Sequence, residues 1–426
     1  MKLGVFARNL FVDWFGGSTR TNRELLIRLA NRRGVEVDFI PVVDEVYWRF
    51  RGKSGFRDMV LKWVETYGKL GIHIHNLLID YYISGDLHKT WGELSSGILK
   101  DYDLVYDPIL MPMANPRLLN QISQIVGPGH YLLDCLKANR DGKALALVIG
   151  SGDVPLSLAW GFRFAREYLF DDFRRTVGIE LFILRVKSLF DALNKFKDRL
   201  IYLIPSTGLI RKIPQLRGAR YFLFFPFYAV DDRVKAVSVG RKGDYVIFFS
   251  RLDLTKGILN LPSIVYYMSK YGCGVEVKVV GGFEDKATER AFWRRVNSLD
   301  VGKFIDFVGF VPEERKVEAY RLLSSARVMI YPSHVDVVPN VVVESLFLGT
   351  PVVMYGIPGP REVFEGTRAI RFVPEFDVKS MAREVCLLLN SDEDPIDDKA
   401  LSIVKAHSDW GPIVDRFIGI LHSITD

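Results

Sequence analysis

The sequence contains little cysteine and no hydrophobic run long enough to cross a membrane. Only three cysteines, Cys135, Cys273 and Cys386, occur among 426 residues, and they are far apart in the chain. This spacing excludes a disulfide framework and a C-x-x-C metal site, and it is typical of a reducing cytoplasm. No apolar segment reaches the roughly 18 residues that a transmembrane helix needs. The first residues lack the basic region and cleavage site of a signal peptide, so we expect a cytoplasmic protein.

The composition is that of a globular protein with an uneven distribution of charge. Hydrophobic residues make up 49% and charged residues 25%, which excludes a disordered or fibrous chain. Residues 1–230 carry 32 Lys+Arg against 23 Asp+Glu, a surplus of +9, whereas residues 231–426 carry 25 against 28, or −3. The basic half indicates an anionic partner there, such as a phosphate-bearing substrate, a membrane surface or a nucleic acid, or else merely a solvated basic surface.

Strand-like and helix-like segments alternate along almost the whole chain. The strand-like segments of the second half are nearly continuous apolar runs, as expected for parallel strands covered on both faces. Repeated βαβ units predict an α/β fold with two doubly wound, Rossmann-like domains, at residues 1–228 and 229–409, joined near 227–244. Residues 410–426 are expected to form a helix that packs back on the N-terminal domain. Ligands of such sheets bind at the carboxyl ends of the strands, so the cleft between the domains is the expected site.

Two basic residues follow the strand predicted at residues 245–249. Arg251 and Lys256 are five residues apart on a loop at the carboxyl end of that strand, just before a helix. An arginine can grip two oxygens at once and a lysine acts as a point charge, so the pair could converge on one diphosphate. The alternative is two solvated loop cations.

Two carboxylates follow the strand predicted at residues 328–331. Asn340 is a candidate N-cap for the next helix, whose N-terminal N–H groups and dipole would form an anion site. Glu344, one turn into that helix, could accept hydrogen bonds from ribose hydroxyls. Asp336, in the preceding loop, could accept one from a second, adjacent ring. The alternatives are an ordinary first-turn glutamate for Glu344 and a turn residue for Asp336.

These residues belong to a series of six sequence landmarks in the C-terminal half. In chain order they are Ser250-Arg251…Lys256-Gly257, Val279-Val280-Gly281-Gly282, Val308-Gly309-Phe310-Val311-Pro312, Tyr331-Pro332-Ser333, Asp336…Glu344 and Gly349-Thr350-Pro351-Val352-Val353. The series resembles glycosyltransferase family 4, a group of GT-B fold enzymes, over nearly all of residues 244–365. The N-terminal half resembles the family only in layout and in its Gly16-Gly17 loop.

The resemblance implies an enzyme that moves a sugar from a nucleoside-diphosphate sugar to an acceptor. Arg251 and Lys256 would hold the donor's diphosphate, and Glu344 would bind the ribose hydroxyls. Asp336 occupies the first position of the family's E-x7-E pair, which contacts the transferred sugar. We take Asp336, Arg251 and Lys256 as the candidate catalytic residues.

Further donor contacts are implied by the same resemblance. Backbone amides would face phosphate and sugar at three positions: Pro339, Asn340 and Val341. Phe310 lies in the turn that usually flanks the nucleotide base. Gly16 and Gly17 would let the N-terminal loop approach the diphosphate.

The resemblance also implies that the anomeric configuration is retained and that no metal is required. Many glycosyltransferases neutralise the leaving diphosphate with a metal on a D-x-D pair. The one such string, Asp101-Tyr102-Asp103, stands at the entry to a strand and is interpreted as a solvated turn. Fixed cations and a helix dipole would then have to stabilise the leaving group.

The sequence departs from the family pattern in three places. Asp336 replaces the usual glutamate and is one methylene shorter, and Val337-Val338 stand where a small residue and an aromatic are common. The family's N-terminal histidine has no equivalent in residues 147–153, where Asp153 is the candidate substitute or else a turn residue. Three histidines of a different segment are interpreted as surface or partly buried residues: His73, His75 and His88. These departures leave open a non-catalytic GT-B subunit that binds nucleotide, an epimerase of the same fold and, more distantly, a nucleic-acid-binding protein.

The acceptor is expected on the N-terminal domain. Residues 47–83 include a helix-like segment with Trp63, Tyr67 and several basic residues. Such a basic amphipathic helix suits an anionic membrane surface, although the pattern slightly favours the alternative, a core-packing helix in a large insertion. Further basic residues extend this character: Arg174, Arg175, Arg211, Lys212, Arg217 and Arg220. They suggest a lipid-linked or phosphorylated acceptor.

Overall fold

The chain folds into two compact α/β units. The computed structural model describes residues 1–11, 17–42, 56–75, 95–110, 130–148, 157–168, 173–391 and 394–425. Unit 1 comprises Met1–Tyr228 and Trp410–Asp426, and unit 2 comprises Ala229–Asp409. Each unit contains one sheet of parallel strands, which confirms the predicted α/β class.

Among the residues that the structure describes, seven strands form the sheet of unit 1 and six form that of unit 2. In unit 1 they are β1 (Lys2–Arg8), β2 (Glu36–Val42), β3 (His73–Ile74), β4 (Leu104–Asp107), β5 (Ala144–Leu147), β6 (Leu200–Ile204) and β7 (Tyr221–Leu223). In unit 2 they are β8 (Tyr245–Phe249), β9 (Glu276–Val280), β10 (Ile305–Gly309), β11 (Val328–Tyr331), β12 (Val352–Tyr355) and β13 (Ile370–Val373).

Helices connect most of these strands. In the part of the chain that the structure describes they are α1 (Gly17–Ala30), α2 (Phe56–Lys69), α3 (Ile98–Asp101), α4 (Tyr131–Ala138), α5 (Leu158–Tyr168), α6 (Phe173–Leu193), α7 (Gly208–Lys212), α8 (Asp232–Lys235), α9 (Leu261–Lys270), α10 (Lys286–Ser298), α11 (Lys316–Ser325), α12 (Asn340–Phe347), α13 (Pro358–Phe364), α14 (Val378–Leu389), α15 (Asp398–Ala406) and α16 (Trp410–Thr425).

Both sheets are doubly wound. The strand order is β3-β2-β1-β4-β5-β6-β7 in unit 1 and β10-β9-β8-β11-β12-β13 in unit 2. The order reverses between β1 and β4 in the first sheet and between β8 and β11 in the second. At such a switch point the loops after the two central strands diverge, which opens a crevice at their carboxyl ends.

Apolar side chains fill both faces of the central strands. Every residue of β4, β5 and β6 is buried, as is every residue of β11 and β12. This pattern explains the continuous apolar runs in the sequence, because helices cover both faces of a parallel sheet. The helix α16 belongs to unit 1, where the ring of Phe417 packs 5.2 Å from that of Tyr106 and 5.3 Å from that of Phe224.

The expectation that the cysteines are unpaired is wrong for two of them. Cys273 and Cys386 form a disulfide with 5.6 Å between their Cα atoms, although 113 residues separate them in sequence. Cys273 follows α9 and Cys386 lies on α14, and these two helices pack against each other. The third cysteine, Cys135, is buried on α4, and burial raises the pKa of its thiol.

Candidate active site

The candidate site lies at the switch point of the unit 2 sheet. Strands β8 and β11 are direct neighbours and parallel, so their carboxyl ends lie side by side. The loop of Arg251 and Lys256 follows β8, and the loop of Asp336 follows β11. Parallel pairing therefore brings together residues that are 80 positions apart in sequence.

Lys256 reaches across from the β8 loop to the β11 loop. Its Nζ lies 2.8 Å from Oδ2 of Asp336 and donates to the backbone oxygen of Val335 at 3.1 Å. The side chains of Lys256 and Asp336 are each only 14% exposed. Such a largely buried ion pair fixes the ammonium group far more firmly than a surface pair does.

Glycine is required next to Lys256. Gly257 has φ of +72°, and a Cβ there would lie 2.0 Å from the backbone oxygen of Pro332. A larger residue would force the β8 loop away from the β11 loop. The Lys256-Gly257 pair thus explains how the two loops come close enough for the ion pair.

Asp336 is held by more than the lysine. Its Oδ2 also accepts hydrogen bonds from the hydroxyl groups of Tyr331 at 2.7 Å and Ser333 at 2.6 Å. Burial, followed by the charge of Asp336, raises the pKa of the Tyr331 phenol well above its usual value, so this hydroxyl remains a donor. The Asp336 carboxylate is therefore an ordered partner of the lysine.

Arg251 lies nearby and keeps more than half of its side chain exposed. Its side chain is 56% exposed, and its guanidinium lies 3.2 Å from Oδ2 of Asp253. Partial burial disfavours the charged form, but the carboxylates of Asp253, Glu284 and Asp336 outweigh it and raise the pKa of the guanidinium. Arg251 is therefore a permanent cation within electrostatic range of Asp336, with surface left to meet a ligand.

Asp253 organises both cations and was not anticipated from the sequence. It is 4% exposed, and its Oδ1 accepts the Lys256 backbone N–H at 2.9 Å and the Thr255 hydroxyl at 2.6 Å. Its Oδ2 faces Arg251. The sequence shows only that an aspartate stands between Arg251 and Lys256 on the same short loop.

The predicted N-cap of α12 is displaced by one residue. Pro339 occupies the cap position and Asn340 is the first helical residue. A proline carries no N–H, so the implied backbone amide at Pro339 cannot donate to a phosphate. Asn340 and Val341 do stand in the first turn of α12, where the helix dipole is positive.

Glu344 lies in the second turn of α12 and is 4% exposed. The hydroxyl of Tyr320 donates to its Oε1 at 3.2 Å. Glu344 therefore lies on the helix that directly follows the loop of Asp336. The role of Glu344 in ribose binding remains a prediction.

Phe310 stands beside an open cavity of about 350 Å³ at the carboxyl ends of β9 and β10. Its side chain is 72% exposed, an unusual value for phenylalanine. Gly281 and Gly282 line the cavity. Gly281 has a φ of +147°, and a Cβ at this position would lie 1.8 Å from the backbone oxygen of Ser250. The cavity therefore adjoins the β8 loop that carries Arg251.

The glycine loop of unit 1 is only partly described. Gly17 is the exposed first residue of α1, while Gly16 lies outside the described residues. Asp153 and His88 lie outside them as well. Their predicted roles stay predictions.

The D-x-D string lies at the amino end of β4, where Asp101 ends α3 and Tyr102 is buried. Oδ2 of Asp103 accepts the Lys2 backbone N–H at 2.7 Å. Within the described ranges, no group of three or more His, Cys, Asp or Glu side chains is placed to hold a metal ion. His73 is exposed on β3 and His75 is half-buried after it.

The aromatic side of α2 packs onto unit 1. Tyr67 is fully buried and donates to the backbone oxygen of Leu10 at 2.7 Å. Trp63 stacks near Tyr67 and under the guanidinium of Arg23, 4.7 Å from its ring centre. These contacts favour the core-packing interpretation of this helix. No helix in the described part of the chain is long and apolar enough to span a bilayer.

Solved structures with the same fold cover the whole chain. HepE from Anabaena in complex with UDP is 15% identical over 99% of this chain and 100% of its own, with a TM-score of 0.61. Sucrose-phosphate synthase from Thermosynechococcus elongatus is 14% identical over 99% and 98%, with a TM-score of 0.60. A TarM mutant from S. aureus, in complex with Fondaparinux, alpha-GlcNAc-glycerol and UDP, is 11% identical over 100% and 99%, also at 0.60. No curated protein matches the chain in sequence.

The fold is that of the GT-B glycosyltransferases. Residues 243–391, which span most of unit 2, match the family described as Glycosyl transferases group 1. The sequence match is confined to these residues, and with it the predicted resemblance, fold and enzyme class are confirmed. The narrower assignment to family 4 stays a prediction.

Proposed function

We propose that the enzyme transfers a sugar from a nucleoside-diphosphate sugar to an acceptor, with retention of anomeric configuration and without a metal ion. The observation that carries this proposal is the convergence of Lys256 and Arg251 near Asp336, at the switch point of the unit 2 sheet. Two fixed cations there suit a diphosphate, since the first turn of α12 adds a positive dipole on the same loop.

The cations would act on the leaving group. In the transfer step the bond between the anomeric carbon and the phosphate oxygen breaks, and the diphosphate gains negative charge. Lys256 and Arg251 would stabilise that charge, because they are already in place before the reaction begins. Asp336 holds the ammonium group and is our candidate for the contact with the transferred sugar.

Retention requires that the acceptor attack on the face that the nucleotide leaves. The acceptor hydroxyl would form its bond to the anomeric carbon on that face, and the departing phosphate oxygen would take its proton. This scheme needs no protein nucleophile. It assigns to the enzyme the positioning of donor and acceptor and the stabilisation of charge.

The nucleotide base would lie in the cavity beside Phe310. An exposed phenylalanine offers a flat face on which any base can stack. UDP-glucose is the first donor to test, because the solved HepE structures include complexes with UDP and with UDP-glucose. Guanosine and adenosine diphosphates complete the comparison.

The acceptor would be a glycan or a lipid-linked glycan at a membrane surface. The helix α5 supports this proposal, since Phe162 is 61% and Leu158 44% exposed on one face. Arg163 and Arg166 are exposed on the same helix. An apolar face bordered by cations suits an anionic bilayer.

Co-sedimentation with phosphatidylglycerol vesicles at low salt tests this surface. The wild type should sediment with the vesicles and the Phe162→Asp variant should not. Equal binding of both proteins would contradict a membrane-bound acceptor at α5.

The experiment that tests the proposed function begins with a thermal-shift screen of nucleoside diphosphates. Ligands that bind the native state raise its melting temperature in proportion to their affinity. The matching nucleotide sugar is then supplied with EDTA, and release of the nucleoside diphosphate is measured with and without glycan acceptors. Acceptor-stimulated release, with the product's anomeric configuration unchanged by NMR, is expected. Tight nucleotide binding without turnover would instead favour a non-catalytic subunit.

A further inference from the structure

His334 is a fully buried histidine between the residues of the candidate site. It follows Ser333 after β11 and is 0% exposed. Nδ1 of His334 donates to Oε1 of Glu375 at 2.7 Å, and its ring centre lies 4.5 Å from that of Phe376. Glu375 and Phe376 follow β13, which is separated from β11 by β12. The His334 cluster, made of His334, Glu375 and Phe376, therefore joins the loops of two strands that are not neighbours.

The backbone of Phe376 is unusual. Its φ is +70°, in the left-handed region that bulky side chains rarely adopt. Such a conformation persists only where surrounding contacts determine it, and it is found preferentially near functional sites. The ring contact with His334 and the bond from His334 to Glu375 are among the contacts around this residue.

The other side of His334 is fixed as well. Nε2 lies 3.4 Å from Nδ2 of Asn260, and Nδ2 in turn donates to the hydroxyl of Tyr355 at 2.6 Å. Asn260 immediately precedes α9, the helix that starts after the Lys256 loop. The imidazole is thus contacted by residues from three parts of the sheet: Asn260 after the β8 loop, Tyr355 on β12 and Glu375 after β13.

His334 is also connected to the catalytic candidates through the backbone. Its N–H donates to the oxygen of Thr255 at 2.8 Å, next to Lys256. Ser333, on its other side, donates its hydroxyl to Asp336. A shift of His334 would therefore displace both partners of the Lys256–Asp336 ion pair.

We propose that His334, oriented by Glu375, is a positioning residue that holds the Lys256 and Asp336 loops in register for the donor. This inference rests on the proposed function, but its first readout does not. His334 is fully buried and so would not touch the donor itself. Its effect would act through the geometry of the ion pair, as hydrogen-bonded partners behind ligating side chains do elsewhere.

Two substitutions of His334 separate positioning from simple packing. His334→Leu keeps the volume but removes the hydrogen bond to Glu375. His334→Asn keeps an N–H close to the position of Nδ1. As a control, Thr367→Val removes a buried 2.6 Å hydrogen bond to Asp397 at the amino end of β13, the opposite edge of the same sheet.

The first readout is the acetylation rate of Lys256, followed by mass spectrometry in the intact protein without any donor. His334→Leu should raise it several-fold, His334→Asn should restore a slow rate, and Thr367→Val should leave it at the wild-type value. An unchanged rate in His334→Leu would overturn the inference even if the wild type proves inactive.

The second readout is kinetic, at a temperature where all variants remain folded. His334→Leu should lower kcat/KM for the donor by about 10- to 100-fold, with partial recovery in His334→Asn and none of the loss in Thr367→Val. Wild-type kcat/KM in His334→Leu would refute the positioning role while leaving the proposed function intact. An inactive wild type would refute the proposed function alone.

Discussion

Replacing Lys256 by methionine removes the ammonium group and keeps most of the side-chain length. At 2.8 Å from Asp336, and with an effective dielectric constant of about 20, the gross attraction within the pair is about 6 kcal/mol. Desolvation of the two groups offsets much of this. Because both side chains are 14% exposed, loss of one partner should lower the free energy of unfolding by about 3 kcal/mol.

The effect on activity is expected to be separate from the effect on stability. Without its ammonium group the site loses one of two fixed cations, which should lower kcat/KM for the donor by about 100- to 1,000-fold. In the double variant Lys256→Met/Asp336→Asn, stability should recover by about 2 kcal/mol, because no unpaired charge is left. Activity should stay low, because no ammonium faces the diphosphate.

The assays are urea unfolding and steady-state release of nucleoside diphosphate. Lys278 offers a matched control, since it pairs with Asp306 at 2.5 Å in the same sheet and is 18% exposed. Lys278→Met should destabilise the protein without changing kcat/KM. The reasoning would be refuted if Lys256→Met kept its kcat/KM within about threefold of the wild type, or if the double variant regained activity together with stability.

Three further predictions concern the base, a helix cap and the disulfide. Phe310→Ala should weaken nucleoside-diphosphate binding by about 1–3 kcal/mol, measured by calorimetry, because a stacking face is lost; unchanged affinity would place the base elsewhere. Hydrogen bonds from the backbone N–H and hydroxyl of Ser380 lower the pKa of Asp377, the N-cap of α14. The stability from this cap is therefore fully present above the unfolded pKa of about 3.8 and is lost as the pH falls through the lower folded pKa. Asp377→Ala should thus cost about 1 kcal/mol at pH 7 and progressively less as the pH falls below the unfolded pKa, whereas a pH-independent difference in urea unfolding would contradict the cap. Cys386→Ser should lower the free energy of unfolding by about 2–4 kcal/mol under oxidising conditions, and wild type treated with dithiothreitol should match the variant; a wild type insensitive to reductant would show that the bond does not form.

The sequence was sufficient to predict the pairing of the two functional loops in unit 2. Arg251, Lys256 and Asp336 each follow an apolar run, and parallel strands place the residues after such runs at one edge of the sheet. The loops after β8 and β11 meet because these strands are neighbours. That β8 and β11 are adjacent in the sheet could be expected from the strand order of the family, but not from the apolar runs alone.

Contacts between strands that are farther apart could not be predicted in the same way. His334 and Glu375 meet across β12, and nothing in the spacing of two single residues specifies that geometry. The bond between Cys273 and Cys386 likewise depends on the packing of α9 against α14. Sequence distance excluded this pair wrongly, because a compact fold brings residues of any separation together.

Errors of one residue arose at the helix ends. Asn340 has the chemistry of an N-cap, yet Pro339 takes the cap position and Asn340 begins the helix. Proline is well tolerated at helix starts, where an N–H is not needed within the helix. Local propensity therefore predicted the start of α12 but not its first residue.

The most direct measurement is a crystal structure of the protein with the nucleoside diphosphate that stabilises it most. We predict that the β-phosphate lies within hydrogen-bonding distance of both the Lys256 ammonium and the Arg251 guanidinium, beside the first turn of α12. A nucleotide bound with its diphosphate away from these two cations would contradict the account.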